Sequence, residues 1–307
     1  PLDGTYSNTE TTPVLPPHTY SDGEFYCSVC GKISEDFCQE VDGYYQLARP
    51  IDLCWFAALV NSGKTTSNAV LMSDLDMLEY STLFEPIGTE SNLYQGHFNG
   101  QYHTISNLVV DRLMKNVGMF GTVSGGTTIE NLILDATCEI VGDANVGLVG
   151  CSRQSGPLVL RNLGFLGTVT SRAMGAGAIL GVNNGSAAAV DMQNCFSMGF
   201  VFATGNENGA ISGWLGSNSP KVTNCWTTAQ CDNTQSDDRY IGRHENGSFT
   251  NCYSIRGTQG SPITEDDVFL GKLAYKLNGD QSQIIWFQNI DNGLPTDEYP
   301  TFLPGHG

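Results

Sequence analysis

Leu160-Arg161-Asn162-Leu163 is one of six copies of a pattern in which an apolar residue, a variable residue and an asparagine precede leucine or cysteine. The other copies are Ile105-Ser106-Asn107-Leu108, Ile129-Glu130-Asn131-Leu132, Met192-Gln193-Asn194-Cys195, Val222-Thr223-Asn224-Cys225 and Phe249-Thr250-Asn251-Cys252. Successive asparagines are separated by 24, 31, 32, 30 and 27 residues, so the period is near 30. A repeat of this length predicts stacked structural units.

A second pattern interleaves with the first, so each unit contains at least two short apolar strands. Its copies are Val117-Gly118-Met119-Phe120-Gly121, Val146-Gly147-Leu148-Val149-Gly150 and the degenerate Gly177-Ala178-Ile179-Leu180-Gly181 and Gly209-Ala210-Ile211-Ser212-Gly213. Such short runs, separated by Gly, Asn and Ser, are typical of strands and turns. Because one unit cannot bury its own apolar face, we predict an all-β fold, a parallel β-helix of about six to eight coils. The asparagines would form a ladder along one corner, and the following Leu or Cys would fill the interior.

Further segments between residues 42 and 255 carry a family resemblance. They are Asp42-Gly43-Tyr44-Tyr45-Gln46-Leu47, Trp55-Phe56-Ala57-Ala58-Leu59-Val60-Asn61, Asp74-Leu75-Asp76-Met77, Pro86-Ile87-Gly88 and Tyr94-Gln95-Gly96-His97-Phe98-Asn99-Gly100-Gln101-Tyr102-His103-Thr104-Ile105. Together with the repeats, they resemble secreted or surface proteins of gut bacteria built on the GLUG repeat. The resemblance implies a right-handed parallel β-helix with a helix over its N-terminal end. Such relatives include adhesins, accessory regions of peptidases and β-helical carbohydrate-binding modules attached to xylanases, so no single function is implied.

Composition divides the chain into four segments. They are a linker rich in Pro, Ser and Thr (1–24), an N-terminal cap with a Cys-x-x-Cys motif and a short helix over residues 50–61 (25–62), the β-helix (63–260), and a C-terminal helix with a capping tail (261–307). The acidic residues after Thr264 predict the start of the last helix, which we expect to end near Gly279. We expect a catalytic or anchoring domain to be covalently linked to this chain.

The charge of the chain excludes several classes of ligand. Lys and Arg number 14 and Asp and Glu 32, so the net charge is 14 − 32 = −18 over 307 residues. Such a field repels phosphate backbones and anionic lipid surfaces, and it disfavours uronate polymers. No run of 18 apolar residues is present to span a membrane. We therefore expect an extracellular or cell-surface protein that neither binds nucleic acid nor inserts into a membrane.

The ten cysteines fall into two groups. Cys195, Cys225 and Cys252 take the repeat position that leucine holds in earlier units, which is typical of small buried thiols. The turn Cys27-Ser28-Val29-Cys30-Gly31 is instead suited to present two thiolates to a structural zinc ion. The candidate zinc ligands are Cys27, Cys30 and Cys38, completed by Cys54 or His18. Disulfides and free thiols are the alternatives, and calcium held by Asp and Asn turns is a further one, although no Asp-x-Asp/Asn-x-Asp-Gly loop is present.

The residue after each repeat's Leu or Cys gives the main functional clue. In chain order these residues are Val109, Ile133, Gly164, Phe196, Trp226 and Tyr253. If the Cys side chain points inward, strand alternation places its successor outward, and coils about 4.8 Å apart would align three rings for stacking on sugars. The predicted glycan site comprises Trp226, Phe196, Tyr253, Trp214, Tyr240, Gln193 and Thr228. The alternative is that the corner at Asn or the 229–246 loop buries these rings.

Signatures of an enzyme are weak. The sequence has no His-Glu-x-x-His motif, no phosphate loop and no Gly-x-Ser-x-Gly elbow. The candidate catalytic groups are better explained as turn, structural or surface-loop residues; they are Asp74, Asp76, His97, His103, Asp237, Asp238, Arg239 and Arg243.

We therefore predict a non-catalytic carbohydrate-binding module of a larger extracellular protein, which binds a neutral polysaccharide by aromatic stacking. Xylan is the first candidate, although no residue distinguishes xylose from glucose. The first alternative is a surface adhesin or structural spacer with a protein partner. The second is a β-helical enzyme that cleaves glycans, which would require paired carboxylates in a groove.

Overall fold

The computed structural model describes residues 18–21, 23–153, 156–184, 189–216, 219–232, 240–279, 281–290 and 297–302. The chain divides into two compact units, Pro1–Phe37 and Cys38–Gly307. Residues 1–17 and 22 of the predicted linker lie outside the described residues, as do Asp237, Asp238 and Arg239. The larger unit is an all-β parallel solenoid of about six turns with a few short helices, which confirms the predicted fold class.

The described residues of the larger unit form short strands separated by tight corners. In chain order the strands are β1 (Glu40–Val41), β2 (Tyr44–Leu47), β3 (Asn68–Leu71), β4 (Leu75–Asp76), β5 (His97–Ser106), β6 (Val109–Asp111), β7 (Lys115–Val117), β8 (Phe120–Ser124), β9 (Thr128–Leu134), β10 (Glu139–Gly142), β11 (Ala144–Val146), β12 (Val149–Arg153), β13 (Leu158–Phe165), β14 (Thr168–Ser171), β15 (Ala176–Gly177), β16 (Leu180–Asn183), β17 (Val190–Gln193), β18 (Phe196–Ser197), β19 (Phe200–Ala203), β20 (Asn208–Gly209), β21 (Ser212–Trp214), β22 (Lys221–Thr223), β23 (Trp226–Thr227), β24 (Gln230–Cys231), β25 (Gly242–Arg243), β26 (Ser248–Thr250), β27 (Tyr253–Ser254) and β28 (Ser261–Pro262).

Four sheets built from these strands wall the solenoid. The largest has 14 described strands and runs β1-β2-β3-β5-β9-β13-β18-β23-β27-β28, with β4, β17, β22 and β26 paired beside this path. The other sheets run β6-β10-β14-β19-β24, β7-β11-β15-β20 and β8-β12-β16-β21-β25. Apart from the antiparallel hairpin of β1 and β2, each strand pairs in parallel with its counterpart in the next coil. A residue at one repeat position therefore lies directly beside the same position one coil later.

The predicted asparagine ladder is present at the corner that interrupts the large sheet. The six repeat asparagines all adopt a left-handed backbone, with φ between 51° and 57°, a conformation that asparagine tolerates better than other non-glycine residues. Nδ2 of Asn162 donates to Oδ1 of Asn131 at 2.7 Å, and Nδ2 of Asn194 donates to Oδ1 of Asn162 at 3.0 Å. Asn251 bonds Asn224 in the same way at 2.7 Å. Asparagine thus satisfies two requirements of the corner, a positive φ and a bond between coils.

The first copy of the repeat pattern is out of register with the others. Glu130 pairs with Asn99, and Asn131 donates to Oδ1 of Asn99 at 3.0 Å, so Asn99 rather than Asn107 begins the ladder. Asn107 lies at a different corner and donates to Oδ1 of Asp76 at 2.8 Å. Together with the N–H of Leu78, this bond lowers the pKa of the Asp76 carboxyl. A bulge in β5 between residues 99 and 103 shifts the pairing, so the first copy of the repeat pattern does not align with the later copies.

The predicted helix over residues 50–61 is confirmed as α1 (Pro50–Asn61). Pro50 occupies the first helical position, and Oδ2 of Asp52 accepts from the backbone N–H of Arg49 at 2.8 Å, which satisfies a free donor at the helix start. Phe56 packs edge-on against Tyr94, with ring centroids 6.0 Å apart. The helix is therefore anchored to the first coils by its aromatic side chains.

The predicted C-terminal helix is two helices, α2 (Glu265–Phe269) and α3 (Lys272–Asn278). Thr264 caps α2 as expected, because its side chain accepts from the N–H of Asp267 at 3.1 Å. Gly271 has a φ of +75° and breaks the run, so one continuous helix was a wrong prediction. No helix in the described part of the chain is long and apolar enough to cross a membrane.

Candidate functional site

The aromatic row predicted from the sequence exists, with one member replaced. Successive strands of the large sheet align Thr104, Ile133, Gly164, Phe196, Trp226 and Tyr253. Phe196 and Trp226 stack with ring centroids 5.0 Å apart and an interplanar angle of 8°. Val109 pairs with Glu139 in another sheet, so its place in the row was wrong. We call Phe196, Trp226 and Tyr253 the aromatic row.

The predicted exposure of the aromatic row is wrong. Phe196 and Trp226 are 0% exposed and Tyr253 is 8% exposed. The rings are covered by the C-terminal segment, which we define as the described residues between 261 and 302. Trp286 lies 5.9 Å from the ring centroid of Phe196, and Phe302 lies 5.5 Å from it. The expected sugar-stacking strip is therefore an internal interface beneath the C-terminal segment.

Trp214 and Tyr240 do not extend the aromatic row. Trp214 ends β21 in a different sheet, where the guanidinium carbon of Arg243 lies 4.8 Å from the centre of its ring. Tyr240 is buried against Ala210 and Ala229, and its hydroxyl donates to the carbonyl oxygen of Ala229. Both side chains stabilise the later coils instead of presenting a platform for a ligand.

A polar cleft lies on the large sheet beside the asparagine ladder. It has a volume of about 500 Å³ and is bounded on one side by residues 281–285 of the C-terminal segment. Its floor contains the residues that precede the ladder asparagines in four successive coils, which we call the polar row; they are Arg161, Gln193, Thr223 and Thr250. Gln193, predicted as a hydroxyl-reading residue, therefore lines a cleft that is separate from the aromatic row.

Two side chains of the polar cleft, Asn194 and Arg161, each carry an unpaired buried atom. The side chain of Asn194 is buried, with the whole residue 4% exposed, and Nδ2 is used in the ladder. Oδ1 has no hydrogen-bond partner among the described residues, and the same is true of the buried Nε of Arg161. An unpaired buried acceptor costs about 1–3 kcal/mol. Because Oδ1 of Asn194 is buried, it adds this cost to the ladder and is not itself open to a ligand in the cleft.

Thr228, the remaining predicted glycan residue, lies in a second cleft of about 300 Å³. This cleft opens beside the other edge of the C-terminal segment and is partly apolar, with Phe200 and Phe269 in its walls. Glu265 and Glu298 contribute two carboxylates to the same walls. We call it the carboxylate cleft. Of the seven predicted glycan residues, one lines the polar cleft, one lines the carboxylate cleft and three form the buried aromatic row. The remaining two, Trp214 and Tyr240, contact other side chains of the later coils.

The histidines inside the resemblance segments join neighbouring coils, as expected for structural residues. The hydroxyl of Tyr44 and Nδ1 of His97 are 2.7 Å apart, while Nε2 of the same ring lies 2.8 Å from Oε1 of Glu130. Nδ1 of His103 lies 3.0 Å from Oδ1 of Asp74. Each pair bridges strands from different coils, so these groups fix the register of the first turns.

A cluster of metal-binding side chains lies in the N-terminal unit. His18, Cys27 and Cys30 each offer a ligand atom, and these atoms lie within 4.8 Å of one another. Backbone N–H groups of Cys30 and Val29 point at Sγ of Cys27 and lower the pKa of this thiol to about 6. His18 completes the cluster, as one of the two alternatives for a further ligand.

Cys38, the third thiol of the predicted zinc site, belongs to the larger unit. It is buried, and burial together with the Asp52 carboxylate raises its thiol pKa, which opposes the thiolate form that binds metal. The cluster of three side chains thus contains Cys27 and Cys30, and the role of Cys38 as a ligand stays a prediction. The described residues contain no second cluster of three His, Cys, Asp or Glu side chains that could hold calcium.

Sequence reasoning missed the polar cleft, although a signal for it was present. The variable position of the repeat pattern is polar in every copy from residue 130 onward: Glu130, Arg161, Gln193, Thr223 and Thr250. Parallel register aligns these positions across the sheet. A position that varies in identity but keeps its polarity indicates an accessible face of a solenoid, where repeats present their binding surfaces.

Comparisons with known proteins support the fold and leave the activity open. No known protein-family profile matches the chain. A stretch of 100 residues is 35% identical to halomucin of Haloquadratum walsbyi, and it spans 31% of this chain and 1% of halomucin. The crystal structure of "a putative immunoglobulin A1 protease" from Bacteroides ovatus is similar over 85% of this chain and 93% of that one, with a TM-score of 0.61 and 17% identity. At this identity the likeness shows a shared β-helix fold alone.

Proposed function

We propose that this chain is a non-catalytic, extracellular binding module that holds a neutral polysaccharide in the polar cleft. The observation that carries the proposal is a cleft of about 500 Å³ lined by amide and hydroxyl side chains that repeat from coil to coil. Polar groups convergent on a concave surface provide orientation and specificity for small ligands. A glycan supplies hydroxyl groups that can both donate to and accept from these side chains.

The polar row has the geometry to follow a polymer along the solenoid axis. Arg161, Gln193, Thr223 and Thr250 repeat at the coil spacing of about 4.8 Å, so equivalent contacts recur along one line. Amide and guanidinium N–H groups donate to hydroxyl oxygens, whereas amide and threonine oxygens accept from hydroxyl hydrogens. The net charge of −18 disfavours anionic polymers and leaves neutral ones as the better ligands.

This proposal retains the predicted class of ligand and replaces the predicted mode of binding. Hydrogen bonding in the polar cleft takes the place of aromatic stacking, because the aromatic row is covered. Xylan is the first polymer to test, since the resemblance to carbohydrate-binding modules of xylanases suggested it. We also propose that the chain is one of the GLUG-repeat proteins and that it is attached to a catalytic or anchoring domain.

The test is a titration of the intact chain against xylan, mixed-linkage glucan, mannan and pectin, with an assay for new reducing ends. We expect saturable binding to a neutral glycan without product. Gln193→Ala should weaken binding by about tenfold, which corresponds to one or two lost hydrogen bonds. Gln230→Ala is the matched control, because this glutamine lies in the carboxylate cleft. No binding to any glycan, or an equal loss in both variants, contradicts the proposal.

A second candidate, glycan cleavage, is favoured by the carboxylate cleft. Glu265 and Glu298 line it together, and a glycosidase requires two carboxylates that flank the bond to be cleaved. New reducing ends in the titration would support this candidate if Glu298→Gln abolished them. The adhesin or spacer alternative requires a protein partner instead of a glycan. This alternative would be favoured if the chain bound none of the four glycans.

A further inference from the structure

The turn that carries Cys27 and Cys30 has a backbone suited to hold two thiols on one side. Tyr26 and Ile33 form an antiparallel bridge, and the N–H of Cys27 donates to the carbonyl oxygen of Lys32 at 2.8 Å. The N–H of Gly31 donates back to the carbonyl of Cys27 at 2.8 Å, and Gly31 has a φ of +70° that favours glycine. These bonds close a tight loop, so the two cysteines are held together by the backbone itself.

His18 is brought to this turn by a separate backbone contact. The N–H of Ser28 donates to the carbonyl oxygen of Thr19 at 3.0 Å, which holds the segment that carries His18 beside the loop. Nδ1 of His18 then lies 3.3 Å from Sγ of Cys30. In a tetrahedral zinc site with ordinary bond lengths, neighbouring ligand atoms are about 3.5 to 3.8 Å apart. The His18–Cys30 separation is close to this spacing, and all three ligand atoms lie within 4.8 Å of one another.

The described part of the N-terminal unit buries little apolar surface. Among its described residues, only Phe25 and Cys27 are buried. A unit of fewer than about 40 residues cannot bury enough apolar surface to fold without a metal, disulfides or a partner. Binding of a structural zinc ion supplies folding free energy directly.

We infer that His18, Cys27 and Cys30 bind one zinc ion that organises the N-terminal unit. Two thiolates and an imidazole at tetrahedral spacing are the donor set that zinc prefers among the common divalent cations. The fourth coordination position is filled by a ligand from outside this cluster. This inference is independent of glycan binding, because the polar cleft lies wholly in the larger unit.

Metal content and protection of one peptide bond test the inference together. The intact chain is purified under reducing conditions with zinc and dialysed, and its zinc is measured by elemental analysis. We expect about one zinc per chain, and a fall of at least fivefold in Cys30→Ser and His18→Ala. Lys32 is the only Lys or Arg between residues 1 and 37, so it is the only trypsin site there. Chelation of the zinc should accelerate cleavage after Lys32.

Cys231→Ser is the matched control, because Cys231 lies in β24 of the solenoid. It should keep its zinc, and all variants should keep the circular dichroism spectrum of the solenoid. Cobalt in place of zinc should give the intense visible bands of a tetrahedral thiolate site. The inference is overturned if the reduced chain binds no zinc, if Cys30→Ser retains it, or if Cys27 and Cys30 form a disulfide that persists with zinc supplied.

Discussion

The aromatic row and the polar row lie on the same sheet, three residues apart along the chain, yet one is buried and the other lines an open cleft. In the fourth aligned coil, Gln193 belongs to the polar row and Phe196 to the aromatic row, with the left-handed Asn194 between them. The C-terminal segment covers the aromatic row because each large ring removes roughly 150–250 Å² from water, or about 4–6 kcal/mol before costs. Alternation along a strand therefore predicts which side chains point away from the interior of the solenoid. Whether those side chains reach solvent depends on which apolar segments elsewhere in the chain pack over them.

The largest test of this contrast is Trp226→Ala. Trp226 is fully buried between Phe196, Tyr253 and Trp286, so its removal leaves a cavity beneath the C-terminal segment. We expect a loss of about 3–5 kcal/mol in the free energy of unfolding, measured by denaturant titration. The half-buried Trp214, changed to alanine, should cost clearly less. An unchanged stability in Trp226→Ala would mean that the row is not covered.

The ladder between the two rows is tested by substitution of Asn162. Its side chain donates to Asn131 and accepts from Asn194, and its φ is 51°. Asn162→Ala should cost about 2–4 kcal/mol, from lost hydrogen bonds and left-handed strain. Asn162→Gly tolerates the same φ and should cost less by about 1 kcal/mol. Equal losses in thermal or chemical unfolding would show that strain contributes nothing at this corner.

Gly164 tests how tightly the aromatic row is packed. A Cβ at this position would lie 2.4 Å from the ring of Phe196, so the ring must shift. We expect Gly164→Ala to lower the free energy of unfolding by about 1–3 kcal/mol through overpacking. Gly126, which has open space around its Cα, is a control for the volume added, although its φ of +91° adds backbone strain. A stabilised Gly164→Ala variant would contradict the close contact with Phe196.

The smallest expected effect concerns the start of α2 in the C-terminal segment. Lys272 and the backbone N–H of Thr264 lower the pKa of Asp267 below its usual value of 3.8. Its ionised form therefore stabilises the segment above that pH, and the contribution is lost as the pH falls through the lower folded-state pKa. Asp267→Asn should melt slightly earlier than the unmodified chain at pH 7 and equally near pH 2. A difference that grows in acid would contradict this sign.

The fold could be predicted because the repeat encodes it locally. Asparagine at a period near 30 marks each corner through its backbone preference, and the alternation of apolar residues marks each strand. The cover over the aromatic row could not be predicted, because it depends on contacts between Trp286 or Phe302 and coils far away in the sequence. The break at Gly271 and the displaced register at Asn107 have the same cause, since tertiary contacts select among local alternatives that the sequence leaves open.

The cysteines show the same dependence on tertiary contacts. Burial raises the thiol pKa of Cys225 well above the usual value, and a hydrogen bond with Cys225 together with burial does the same for Cys252. Backbone N–H groups instead lower the thiol pKa of Cys27. Repeat position identified the first two as core residues, and the Cys-x-x-Cys spacing identified the third as a metal ligand candidate. Which side chain joins Cys27 and Cys30 required the structure, because His18 and Cys38 are both near in sequence.

We propose that the polar row, and not the aromatic row, forms the ligand surface. Calorimetric titration of Gln193→Ala and Trp226→Phe with the same neutral glycan compares the two directly, since the phenylalanine preserves an apolar ring beneath the C-terminal segment. We expect about tenfold weaker binding for Gln193→Ala and an unchanged affinity for Trp226→Phe. Weaker binding in Trp226→Phe with an unaffected Gln193→Ala would contradict it, and would mean that the C-terminal segment leaves the aromatic row open to sugars.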